Sequence, residues 1–114
     1  MPYLNVQTNV RMDAAGKTDF ITKASQTTAS ILGKPESYVM VNIDSGNAML
    51  FGGSDAPLAY VQLKSLGLPE AQTTAFSQTL CELIQTELGI DAGRIYIEFS
   101  APERHMWGWD GSTF

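Results

Sequence analysis

An internal repeat constrains this chain more than any other feature. Leu32-Gly33 followed by Tyr38-Val39-Met40-Val41 corresponds, at one constant offset, to Leu88-Gly89 followed by Arg94-Ile95-Tyr96-Ile97, and Val6-Gln7 falls near Val61-Gln62. A glycine that ends a helix and an apolar run that follows it therefore occur twice in the same order. The reading is a tandem β-α-β duplication, with pseudo-repeats at about 1–56 and 57–114 inside one domain spanning 1–114. The expected fold class is α/β: a four-stranded sheet shared by the two halves, with two helices on one face.

Local patterns fill in the repeat. Tyr3 to Thr8 alternates apolar and polar residues and predicts a half-buried strand, after which Arg11 to Lys17 reads as a polar turn. Phe20, Ala24, Thr27 and Ile31 share one helical face and predict a helix from about Thr18 to Leu32, closed by Gly33 and Pro35. Strands are predicted at Tyr38 to Ile43, Leu58 to Leu66 and Arg94 to Phe99, with a second helix opening near Pro69-Glu70 and ending at Gly89. Gly52-Gly53-Ser54 reads as a turn beside a loop or short edge strand at Met49 to Phe51, and the last residues read as a hairpin or arm. Residues such as Tyr3, Asn5, Val39, Val41, Ile95 and Ile97, or their alternates along each strand, are assigned to the face the helices leave bare. That face would be partly apolar and would call for self-association.

Twelve acidic residues against seven basic ones leave a formal charge of −5, and no Lys/Arg cluster occurs anywhere. Phosphate-backbone binding, which depends on displacing counterions with such clusters, is excluded as an expectation, as is an anionic membrane surface. Cys81 is the only cysteine, so no intramolecular disulfide and no multi-cysteine metal site can form. No basic segment followed by an apolar run opens the chain, and no stretch approaches the ~20 apolar residues of a membrane span. The cytoplasm is the expected location, with non-classical release left open.

Pro2 is the sharpest candidate for chemistry. With Met1 removed, it becomes a free secondary amine at the start of a strand, and an apolar pocket with a nearby cation would lower its pKa toward neutrality. An amine so poised is a general base. Lys34 is either a solvated lysine at a helix end or an anchor for an anion. Tyr96 and Glu98 alternate along one strand and share a face, as packing and rim charge or as a phenol and a carboxyl in a pocket. Trp107, Trp109 and Phe114 crowd the C-terminus as hairpin, interface or ligand-stacking aromatics. His105 has no ligand spacing around it, and no metal site is assigned.

The opening MPYLNVQTNV, the Gly33-Lys34-Pro35 step, FGGSDAP at Phe51 to Pro57, Ser65-Leu66-Gly67, RIYI at Arg94 to Ile97 and the ending GWDGSTF together resemble the macrophage migration inhibitory factor family of the tautomerase superfamily. The resemblance implies a homotrimer in which three sheets form a central barrel, with active sites at subunit interfaces. It implies keto-enol tautomerisation of phenylpyruvate-like aryl 2-oxo acids, and in some members of D-dopachrome, without metal or organic cofactor. By position, Pro2 looks like the catalytic base and acid, Lys34 like the carboxylate anchor, and the Leu66 amide beside Ser65 like a substrate donor. Tyr96 resembles the tyrosine supplied by the neighbouring subunit. Tyr3, Tyr38, Trp107, Trp109 and Phe114 fall where the family builds pocket walls. A different class of function, a cytokine-like trimer that binds a receptor and keeps only a vestigial pocket, stands as the alternative.

Three departures from the family pattern carry expectations of their own. Leu58-Ala59-Tyr60-Val61 stands where vertebrate members have Cys-x-x-Cys, so no thiol-disulfide activity is expected. Glu98 replaces an asparagine of animal members, which would repel an acidic substrate or raise the proline pKa. Trp107 replaces a smaller aliphatic residue and would narrow the pocket.

Overall fold

The computed structural model describes residues 1–114. Its elements are β1 (Pro2–Thr8), α1 (Ala14–Leu32), β2 (Met40–Asp44), β3 (Ala59–Ser65), α2 (Thr73–Leu88), β4 (Ile95–Ser100), β5 (Gly108–Trp109) and β6 (Ser112–Thr113), with single 3₁₀ turns before β2, α2, β4 and β5. The main sheet has the order β2-β1-β3-β4. β1 runs parallel to β2, β3 parallel to β4, and the two halves meet through the antiparallel β1–β3 pair. This is the duplicated β-α-β architecture expected from the repeat.

The repeated Leu-Gly steps have a common physical origin. Gly33 (φ 61°) and Gly89 (φ 69°) both take the left-handed conformation that closes a helix. The Lys34 amide donates to the Ala29 carbonyl at 3.1 Å and the Gly33 amide to Ser30 at 3.3 Å, while Gly89 donates to Gln85 at 3.0 Å. The helix starts differ from expectation. α1 begins at Ala14 rather than Thr18, because the Asp13 carboxylate accepts from the Gly16 amide at 2.7 Å and caps the first turn; Ala14 to Lys17 are helical, not turn. Glu70–Gln72 forms a 3₁₀ turn, and α2 proper starts at Thr73.

The core lies between the sheet and the helices. Leu4 and Val6 of β1, Val61 and Leu63 of β3, Phe20 and Ala24 of α1, and Phe76, Leu80 and Ile84 of α2 are all buried. Thr28, not Thr27, completes the buried stripe of α1, and its hydroxyl has no hydrogen-bond partner. An unpaired buried hydroxyl costs about 1–3 kcal/mol. Thr28→Val, which keeps the shape and removes the orphan, is expected to raise the urea midpoint with an unchanged slope, by about 1 kcal/mol of stability. A loss of stability would show that the hydroxyl finds a partner in solution.

The bare face of the sheet is not the apolar surface expected. The register sets Leu4 opposite Val41 and Leu63, and Val61 opposite Ile97, so Val41, Ile95 and Ile97 all point toward the helices. Their phase was misassigned because a strand buried on one face shows its parity only through its partners. The bare face instead carries a hydrogen-bonded ladder across all four strands. Asn42 Nδ2 donates to Asn5 Oδ1 (2.9 Å), Asn5 Nδ2 to Gln62 Oε1 (3.3 Å), and Gln62 Nε2 to Glu98 Oε1 (3.4 Å).

Two loops are closed by turn chemistry. Gly52 (φ 59°) and Gly53 (φ 76°) turn the chain between Phe51 and Ser54, which exchange backbone hydrogen bonds; Met49 and Leu50 form no strand. Asp110-Gly111, both at positive φ, turns the chain between β5 and β6, giving the C-terminal hairpin.

Candidate active site at the N-terminus

β1 fixes the N-terminus. Pro2 is fully buried and lies in register with Ser65 at the end of β3, so a residue that would otherwise fray is held at one end of the sheet, in an interior strand, by its pairing. Around it opens a cleft of about 480 Å³ lined by Met1, Pro2, Tyr3, Tyr38, Lys64, Trp107 and Trp109, with Ser37, Val39, Met40 and Gly108 completing it. The walls come from three places in the chain. The turn at Glu36–Tyr38 leads into β2, Lys64 stands opposite Tyr3 on β3, and the β5–β6 hairpin folds its two tryptophans over the opening.

Phe114 does not line the cleft. It stacks on Trp109 (centroids 5.9 Å apart, planes 14° apart) and its amide donates to the Trp107 carbonyl at 3.2 Å, so it holds the wall in place. Ser65 is fully buried, and its hydroxyl donates to the Leu66 carbonyl at 3.2 Å, which ties up the side chain in the turn beside Pro2. Leu66 is buried in the same turn.

The electrostatics favour a neutral amine. Desolvation first, then the positive charges of Lys34 and Arg104, push the N-terminal ammonium of Met1 below its ordinary value of 8.0. Lys34 follows the α1 cap directly and reaches this site through its charge, although it is not among the cleft-lining side chains.

Tyr96 and Glu98 are not brought to the cleft within one chain. β4 is the far edge strand, separated from β1 by β3, and the Tyr96 ring packs on Phe51 (centroids 4.6 Å apart) with 65% of the residue exposed. Glu98 accepts from Gln62, and its charge helps to raise the Tyr60 phenol pKa, burial being the larger cause. Trp107 lines the cleft.

Lys64 and Arg104 are the site residues that sequence reasoning missed. The parity of β3 could have found Lys64, since it alternates with buried Leu63 and Ser65 and so faces the Tyr3 side. Nothing in the local pattern marks Arg104. Cys81 lies away from the cleft on α2, and burial pushes its thiol pKa up, which keeps it protonated and a poor nucleophile. His105 is exposed and meets Glu103 at 3.4 Å.

The family model for macrophage migration inhibitory factor (MIF) matches residues 1–114. A macrophage migration inhibitory factor homolog of Brugia malayi is 40% identical over 115 aligned residues, covering 100% of this chain and 99% of the relative. The mouse macrophage migration inhibitory factor is 35% identical, with the same coverage. Among solved structures, the homologue from Prochlorococcus marinus superposes with a TM-score of 0.92 at 40% identity over 98% of each chain, and the Trichinella spiralis protein, covering 98% of this chain and 99% of its own, with 0.90 at 34%. With the whole chain matched in sequence and in fold, this protein belongs to the macrophage migration inhibitory factor family of the tautomerase superfamily.

Proposed function

We propose that the chain is a cofactor-independent keto-enol tautomerase of phenylpyruvate-like aryl 2-oxo acids, with Pro2 as the base and acid once Met1 is removed. The observation that carries this reading is the depressed N-terminal amine in a cleft walled by Tyr3, Tyr38, Trp107 and Trp109. The environment that lowers the Met1 ammonium acts on the proline amine one residue further in, where the strand is fully buried.

In the proposed reaction, neutral Pro2 takes a proton from the benzylic carbon of the substrate. That C–H electron pair becomes the new C=C bond as the carbonyl π electrons move to oxygen. The prolinium then gives its proton to that oxygen, forming the enol, and ketonisation runs the same steps backward. Lys34 holds the carboxylate, the Leu66 amide supplies a further donor, and the aromatic walls take the ring. Fixed donors and cations stabilise the developing oxyanion more strongly in a partly dry cleft than in water.

Tyr96 enters this scheme from a neighbouring subunit of a homotrimer. Its exposure on an edge strand, and the unpaired outer edges of β2 and β4, support that assembly. The polar ladder would then line the barrel, and Glu98 would act there.

The test is the decay of phenylpyruvate enol in the ultraviolet, on material whose intact mass shows Met1 absent. The enol should ketonise faster than in buffer. kcat/KM should rise with pH and then level off, because only the neutral amine accepts a proton, with the midpoint moved down from that of an exposed terminal proline by desolvation and by the charges of Lys34 and Arg104. Material retaining Met1, in which the proline nitrogen is an amide, should be inactive. Equal rates in the two preparations would overturn the reading and favour the cytokine-like alternative.

A further inference from the structure

We propose that Lys64 makes the cleft a site for dianions: aryl acids that carry a second anionic group at the end of the ring remote from the first carboxylate. This rests on the proposed substrate-binding role of the cleft and specifies which members of that class it prefers.

Three observations support it. First, the Lys64 side chain lines the cleft, directly across from Tyr3 and one residue from the Pro2–Ser65 pair, and it enters no ion pair; the ion pairs of the protein involve only Lys23 and His105. Second, no Asp or Glu lines the cleft in a chain of net charge −5, so the opening is a cationic spot on an anionic protein. Two acids that flank the cleft segments in sequence are directed elsewhere. Glu36 lines a separate hollow with Ile21, Thr22, Ser25 and Val41, and Glu103 is exposed and faces His105. Third, the cations approach from different elements. Lys34 precedes the segment leading into β2, whereas Lys64 stands on β3, and β1 runs between those strands.

A single carboxylate on Lys34 leaves Lys64 without a counterion inside a partly desolvated cleft. A second anionic group at the far end of the ring supplies one, through a charge-assisted hydrogen bond that a neutral ring cannot make. The same local field attracts dianions to an otherwise repelling surface.

The test uses cinnamate and 4-carboxycinnamate, which have no keto-enol pair and so report binding whether or not the protein is a tautomerase. Both tryptophans of the protein lie at the cleft, so quenching of intrinsic fluorescence reads occupancy there. The dianion should bind about tenfold tighter than the monoanion, the gap should shrink with added salt, Lys64→Gln should abolish it, and Lys64→Arg should keep it. Equal binding of the two acids by the unmodified protein, or a preference that survives in Lys64→Gln, would overturn the proposal. Absence of phenylpyruvate tautomerisation with the dianion preference intact would instead overturn the proposed reaction alone.

Discussion

Pro2→Gly, in a chain lacking Met1, is expected to lower kcat/KM for phenylpyruvate ketonisation by about a hundredfold, at the lower end of the range for removing a general base. The loss should fall mainly on kcat. Glycine retains an N-terminal amine, so some activity persists, but it lacks the ring that fixes the nitrogen against the cleft, and a freed terminus spends less time in reactive geometry. The fold should tolerate the change, because only the first residue of β1 gives up its ring packing, whereas Leu4 and Val6 still anchor the strand in the core. An inserted alanine between Met1 and Pro2 is the sharper companion. It leaves the proline in the strand but converts its nitrogen to an amide, and activity should vanish while the melting temperature stays. Wild-type rates in both variants, on every aryl pyruvate tried, would remove Pro2 from the chemistry.

The second large effect concerns stability. Arg94 gathers one loop with a single guanidinium: Nε donates to the Pro57 carbonyl at 3.0 Å, Nη1 to Phe51 at 3.3 Å, and Nη2 to Ser54 at 2.9 Å and Ala56 at 3.0 Å. The guanidinium also lies 5.3 Å from the Phe51 ring centroid. Arg94→Ala is expected to cost about 2 kcal/mol, after allowance for the solvent exposure of several of these bonds. For a domain of this size that is a fall in Tm of roughly 8 °C. Hydrogen exchange at the Phe51 and Ser54 amides, which pair with each other, should rise first. Arg94→Lys should recover only part of the loss, because an ammonium has three donors and no planar fork to span four carbonyls. A Tm for Arg94→Ala within about 2 °C of wild type would mean that the loop holds its shape without the arginine. Phe51 also supports the Tyr96 ring, so loosening the loop should lower the activity of an assembled trimer beyond the loss of folded protein.

The arginine hydrogen bonds explain why widely separated segments of this sequence belong together. FGGSDAP and the arginine of RIYI form one latch. The opening segment joins it through Asn9, whose amide donates to the Asp55 carbonyl at 2.8 Å and accepts from the Leu58 amide at 3.0 Å, and through Thr8, whose hydroxyl donates to the Leu58 carbonyl at 2.7 Å. Sequence patterns marked each segment, but none indicated which carbonyl would meet which donor.

The legible part of the fold was the part governed by local chemistry. Helix ends were marked by Gly33 and Gly89 and the strands by alternation, because a left-handed cap and a pleat each depend on a few neighbouring residues, while the C-terminal segment was read only as a hairpin or arm. The α1 start was missed by one turn because Asp13 acts through a side-chain cap that apolar periodicity does not register. In the site, Pro2 stood out as an N-terminal proline leading into a strand, whereas the aromatic walls were assigned only through the family resemblance, which also counted Phe114 among them although it does not line the cleft. Lys64 was legible only through the parity of β3, which puts it between buried Leu63 and Ser65, and Arg104 was not legible at all, since an arginine in a short 3₁₀ turn looks like an ordinary surface residue until the chain folds around the N-terminus.

By itself the sequence determined the duplicated β-α-β plan, the ends of the helices and the alternation of the strands, since all three follow from residue types and spacings that recur or stand within a few positions of one another. Tertiary structure alone decided which side of each strand is buried. Strand parity is relative, and only the pairing of β1 with β2 and β3 and of β3 with β4 sends Val41, Ile95 and Ile97 to the helices and leaves the asparagine–glutamine–glutamate ladder on the bare face. It also decided the electrostatics of the amine, because Lys34 and Arg104 act through space and the burial that disfavours the ammonium exists only once strand, turn and hairpin have closed around it.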